Sequence, residues 1–179
     1  MPEEAILGLD ISTSCIGLTV LGANGKPLLI TALDFKNKNK FPSYFQKAKS
    51  VENAILKLKK EYNITKIAIE SALFMFRPGA SSAATISSLI RFNGIVSWIL
   101  YEIFSFEPIF ISSGTARKAC SIKIPKGKKA KLVVMEHLQK DEQFLPYITY
   151  TKNGSIKPNV FDMADSYVIA RAAFLTNQN

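Results

Sequence analysis

From 5 to 11 the chain reads AILGLDI, an apolar stretch of strand-like composition, and 16 to 22 follows with Ile16, Leu18 and Val20 alternating onto one face. Asn24-Gly25 is a strong hairpin signal, and the apolar run PLLITALDF at 27 to 35 comes after it, so the opening predicts a three-stranded antiparallel meander. Between 44 and 62 the apolar positions Phe45, Ala48, Val51, Ile55 and Leu58 recur at helical spacing, with lysines on the other face. A strand over 65 to 71 is predicted next, with Ile67 and Ile69 alternating with Ala68, then a long helix from about 81 to 104 and a fifth strand at 107 to 112. A short helix over 115 to 120, a basic loop over 121 to 128 and an amphipathic helix over 129 to 140 complete the middle of the chain. The last element, 159 to 175, is helical, with Asn159 in an N-cap-like position. This order implies an α/β protein with one five-stranded mixed sheet, its first three strands antiparallel, and helices on both faces.

Asp10 breaks the pattern. It stands inside an otherwise apolar strand, where burying an ionised carboxylate costs roughly several kcal/mol unless a partner offsets it. The predicted layout supplies other acids: Glu70 closes the fourth strand, which would lie beside the first, and Asp162 and Asp165 share a face near the start of the last helix. Taken singly, Asp162 would suit a helix N-terminus and Glu70 a solvated strand end. Taken together, four carboxylates from three distant segments repel one another unless a cation neutralises them, which points to a hard divalent metal, magnesium or manganese rather than zinc.

Composition narrows the setting. The 179 residues suit a single domain spanning 1 to 179, with 47% hydrophobic and 21% charged residues, and the formal net charge of +9 favours a polyanionic partner. Cys15 and Cys120 lack C-x-x-C spacing and His137 is the only histidine, so neither a zinc site nor a disulfide framework is expected. With acids ahead of the first apolar run and the apolar stretch 94 to 104 interrupted by Ser97 and Glu102, no signal peptide, membrane span or membrane partner is expected. The expected location is an intracellular, reducing compartment, the cytoplasm or a site of DNA replication, in a cell or in a host of a phage or virus.

Three segments, ILGLDISTSCIGLTVL, KIAIESALFMF and FDMADSYVIARAAF, in this order and at these separations, resemble the RuvC-type Holliday junction resolvases of the ribonuclease H-like superfamily. The resemblance covers nearly the whole chain, and its most specific part is the D-x-x-D on the final helix combined with an acid in strand one and a glutamate closing strand four. It implies a ribonuclease H-like fold, a homodimer, and two magnesium or manganese ions held by Asp10, Glu70, Asp162 and Asp165, with Asp10 bridging them. The implied reaction is paired nicking of a four-way DNA junction, leaving 5'-phosphate and 3'-hydroxyl ends by two-metal hydrolysis. The turn after the first aspartate departs from the family: a glycine is usual there, whereas this chain has DISTSCIG, with Gly17 further on.

Eight basic residues against one acid between 117 and 140 form a candidate phosphate-binding surface, from Arg117, Lys118, Lys123, Lys126, Lys128, Lys129 and Lys131 in particular. Directly after Glu70, Phe74 or Phe76 is placed to stack on an unpaired base, with Arg77 beside them. The stretch 36 to 66 is also basic, nine lysines to two glutamates, and reads as the exposed face of a helix. The long helix 81 to 104 carries the dimer contact that the resemblance suggests, or simply core packing. Other readings remain: a ribonuclease H-like nuclease acting on other branched DNA or on RNA/DNA hybrid, or a silent junction-binding protein. An actin-like kinase or ATPase needs a duplicated domain for which the chain has no room.

Overall fold

In the computed structural model, which describes residues 3–71 and 82–176, five strands form one sheet in the order β3-β2-β1-β4-β5. They are β1 (Glu4–Ile11), β2 (Cys15–Gly22), β3 (Pro27–Asp34), β4 (Asn63–Glu70) and β5 (Ile109–Ile111). The first three pair antiparallel, while β4 runs parallel to β1, beside it as expected, and β5 runs parallel to β4, so the strand bearing Asp10 is central. Five α-helices follow or separate the strands: α1 (Tyr44–Glu61), α2 (Ala83–Phe104), α3 (Ser113–Ala119), α4 (Ala130–Leu138) and α5 (Pro158–Leu175). A 3-10 turn at Leu145–Tyr147 and an isolated bridge between Tyr150 and Ile156 lie in a segment for which the sequence pattern predicted no element.

Strand alternation divides the core into two layers. Leu7, Leu9, Ile16, Leu18, Val20, Ile67 and Ile69 point to one face and pack on Val51, Ile55 and Leu58 of α1 and on Phe92, Val96 and Leu100 of α2. The alternate residues face α5, whose Met163, Ala164, Tyr167 and Val168 join Ala116 of α3 and Val134, Met135 and Leu138 of α4. Asp10 and Glu70 belong to this second set, one residue out of step with the apolar positions on either side. That parity directs both carboxylates toward α5.

Two glycines allow α5 to lie against the sheet. A Cβ on Gly8 would stand 2.6 Å from Ala170 Cβ, and one on Gly17 would stand 1.9 Å from the Asp162 carbonyl oxygen. Between them Thr19 and Ser166 share a fully buried hydroxyl pair at 2.8 Å, and Ser166 also donates to the Met163 carbonyl at 2.8 Å. Small residues and one satisfied polar pair thus set the height of the helix that carries Asp162 and Asp165.

Several local expectations shift. Proline takes the first position of α5 and Lys157 caps it without a side-chain bond, so Asn159 lies inside the helix rather than at its cap; proline's fixed φ and missing N–H suit that first position. The first turn of α5 holds no acid, which removes the helix-dipole account of Asp162, because that effect fades beyond the first turn. The Asn24-Gly25 turn is longer than a two-residue loop: Gly22 accepts from Gly25 N–H at 2.9 Å and donates to the Lys26 carbonyl at 2.9 Å, with Gly25 at φ 74°. The turn after Asp10 closes without glycine, because Ser12 Oγ donates to the Cys15 carbonyl at 2.7 Å and accepts from its N–H at 3.0 Å.

At 22 residues α2 is long and apolar enough, by length and composition, to cross a membrane, a length the run 94 to 104 alone had not suggested. Its Phe92, Val96 and Leu100 side packs into the core with the sheet and α1, while Ile90, Trp98 and Tyr101 on the helix are exposed.

Candidate active site

Asp10 is the penultimate residue of β1 and Glu70 the last of β4, at the same end of two adjacent parallel strands, and α5 brings Asp162 and Asp165 over them. All four side chains are half-buried. Burial is the largest cause that raises the Asp10 carboxyl well above its usual range, followed by repulsion from Glu70, Asp165 and Asp162, with Lys131 opposing. Burial and then Glu70 push Asp165 up to about 7, with Asp162 adding and Lys131 and Arg117 opposing. Glu70 is also raised by burial, against a hydrogen bond from Ser113 and the charge of Arg117. Three segments far apart in sequence therefore form one electrostatic unit.

Among the described residues, no three carboxylate, imidazole or thiol groups are gathered closely enough to enclose a metal ion as they stand. Among the described residues Lys131 and Arg117 offset part of the negative charge, and carboxylates held near one another repel until a cation joins them. The donor chemistry nonetheless fits a hard cation. The set is all oxygen, Asp10, Glu70 and Asp165 hold their protons more tightly than usual, and Asp10 accepts no hydrogen bond among the described residues.

The structure divides the expected DNA-binding residues into three groups. Phe74, Phe76 and Arg77 lie outside the described residues. Lys118, Lys123, Lys126, Lys128 and Lys129 are exposed along the end of α3 and the loop into α4. Arg117 and Lys131 instead stand at the carboxylates, and the Lys131 ammonium also sits 4.9 Å from the centre of the Phe161 ring. Sequence reasoning grouped those two with the surface cations because basic residues surround them; their electrostatic influence on the acids appears only once α3 and α4 are packed beside α5.

Two further features were missed. Cys15, fully buried at the start of β2, lies against Asp162, and burial together with that carboxylate pushes its thiol up. Gly17 stands directly opposite Asp10 in the β1–β2 register, so the close approach of α5 occurs at the acid itself. The only sequence signal for it was a glycine in an otherwise β-branched and apolar strand, a usual mark of close backbone approach.

Central antiparallel hairpins, two parallel crossovers and acids at the strand ends define a ribonuclease H-like fold. Among solved structures the chain is similar to Thermus thermophilus RuvC in complex with a Holliday junction substrate, with a TM-score of 0.64 at 13% identity over 98% of this chain and 96% of that one. A second structure of Thermus thermophilus RuvC gives 0.63 at 15% identity over 97% and 96%. The yeast mitochondrial Holliday junction resolvase Ydc2 gives 0.59 at 16% identity over 98% of this chain and 82% of that one. No protein-family profile and no curated protein sequence matches the chain.

Proposed function

We propose that this protein is a structure-selective DNA endonuclease that resolves four-way junctions. The observation that carries the reading is the convergence of Asp10, Glu70, Asp162 and Asp165 at one end of a sheet whose fold is shared, nearly end to end, with RuvC and Ydc2. In this reading those four side chains hold two magnesium or manganese ions. Bound there, the ions would supply activation of the attacking water and stabilisation of the leaving 3'-oxygen, and the products would carry 5'-phosphate and 3'-hydroxyl ends.

The chain's own residues have separate tasks. Asp10 is best placed to be shared between two ions, since it feels all three other acids. Gly8, Gly17 and the Thr19–Ser166 pair hold α5 at a fixed height, which keeps Asp162 and Asp165 in reach. Lys131 and Arg117 offset part of the negative charge, and the exposed lysines from Lys118 to Lys129 take the DNA backbone. A symmetric pair of nicks needs two sites. The outward side of α2, where Ile90, Trp98 and Tyr101 are exposed, is the surface proposed to pair two copies.

The test is cleavage of a labelled synthetic four-way junction, with linear duplex and RNA/DNA hybrid as controls, in magnesium, manganese and chelator, for wild type and Asp10→Asn. Paired, ligatable nicks in the junction alone, lost in chelator and in the variant while binding persists, support the reading. Cutting of the hybrid moves the substrate elsewhere among ribonuclease H-like nucleases; binding without cutting in any metal overturns the enzyme.

A further inference from the structure

On the opposite face of the sheet from α5, the loop after β3 and the first turn of α1 form a second cationic surface. Between 35 and 51 there are five lysines and no acid. Phe35 and Phe41 pack edge to face at 5.0 Å, and Tyr44 stacks on Phe92 at 5.6 Å, so the inner rings are anchored in the core. Phe41 and Tyr44, together with Phe45, Lys47 and Arg91, line a groove of 440 Å³.

The groove opens at the same end of the sheet as Asp10. Phe35 N–H donates to the Ser14 carbonyl at 2.8 Å, and the Lys47 ammonium donates to the Thr13 carbonyl, both in the turn that follows Asp10. The Lys40 and Lys47 ammoniums lie 5.3 and 5.6 Å over the Phe41 and Tyr44 rings, which leaves Phe45, 79% exposed, as the ring with open faces. Lys38, Lys40 and Arg91 are exposed and form no ion pair among the described residues, whereas Lys36 stands 3.9 Å from Asp34 and Lys49 2.7 Å from Glu52.

We propose that this groove, with the exposed loop that leads into it, is a second DNA-binding site: Lys38 and Lys40 of the loop and Arg91 of the groove hold the phosphates of a strand leaving the carboxylate site, and Phe45 stacks on an unpaired base. Charge complementarity selects the occupant. Exposed cations without an acidic partner among the described residues, beside one open aromatic ring, suit the phosphates and bases of an unpaired strand, and a purely apolar partner would leave those cations buried without counter-charge. The inference rests on the DNA-cleaving reading and extends it, because none of these residues belongs to the basic segment 117 to 131. It also gives the molecule grips on both faces of the sheet, with the carboxylates between them.

The experiment measures binding of a labelled four-way junction and of linear duplex to the full chain in chelator, as a function of salt, for wild type, Lys38→Ala/Lys40→Ala/Arg91→Ala and Phe45→Ala. The triple variant is expected to bind the junction at least about tenfold more weakly, and to lower the slope of log affinity against log salt by about 2 to 3. Phe45→Ala is expected to weaken junction binding by about 5-fold or more with less effect on duplex. Unchanged affinity and slope in the triple variant, with wild type still binding and cutting the junction, overturn the groove and leave the endonuclease intact. Wild type that neither prefers nor cuts the junction overturns the functional reading itself. Sedimentation without DNA decides the remaining case: if Phe45→Ala dissociates a dimer, Phe45 is a protein contact and the stacking role is refuted.

Discussion

The carboxylate cluster makes the metal-free protein sensitive to pH in a direction opposite to that of most acidic pairs. Asp165 is raised from 3.8 to about 7. An acid that binds its proton more tightly when folded contributes stability that is complete below its unfolded value and lost as pH rises through its folded one, so the loss falls between about pH 4 and 7. At about 1.4 kcal/mol per pH unit, a gap of that size corresponds to about 4 kcal/mol if it belonged to Asp165 alone. Asp10 and Glu70 share the repulsion, so removing one charge recovers only part of it, about 1 to 3 kcal/mol. Asp165→Asn is therefore expected to be more stable than wild type at pH 8 in chelator, by roughly 2 to 10 °C in Tm for a chain of this size, and to lose less stability between pH 5 and 8. Magnesium or manganese should raise the wild-type Tm at pH 8 and do far less for the variant. The assay is thermal unfolding at both pH values, with and without metal. Wild-type stability that stays level or rises from pH 5 to 8 in chelator, with the variant no more stable, would refute the electrostatic argument.

Other expected outcomes follow from the seating of α5. Gly17→Ala puts a methyl carbon 1.9 Å from a backbone oxygen, so α5 must retreat; a loss of about 1 to 3 kcal/mol or more in urea unfolding is expected, and a variant as stable as wild type would contradict the packing. Thr19→Val leaves Ser166 short of one partner and should cost about 1 to 2 kcal/mol, while adding Ser166→Ala should cost less than the sum, as a double-mutant cycle would read. Asp141 accepts from Tyr167 at 3.0 Å and Arg171 at 3.3 Å, so Asp141→Ala is expected to lose about 1.5 to 3 kcal/mol by denaturant midpoint.

Much of the architecture was legible because it is written in local pattern. Apolar alternation placed β1, β2 and β4, and a helical repeat placed α1, because each element must bury one face and the period of the apolar residues reports which element can do so. The same logic singled out Asp10, since an acid at a strand position flanked by buried residues breaks that period. The extent of β5 was less legible: only Ile109–Ile111 pair, and a short edge strand with Phe110 exposed carries little burial signal.

What the chain order alone determined is the inventory: five strands, the helices between them, four acids in three segments, and an excess of positive charge. Only the tertiary structure decided how these meet. It set Asp10 and Glu70 on the face toward α5, required glycine at Gly8 and Gly17 for the helix to close on them, drew Arg117 and Lys131 out of the basic segment to the acids, and left Phe45 open beside unpaired cations. Sequence pattern reports which residues are buried; which buried or charged groups face one another depends on strand register and helix height, and those are set by contacts between residues far apart in the chain.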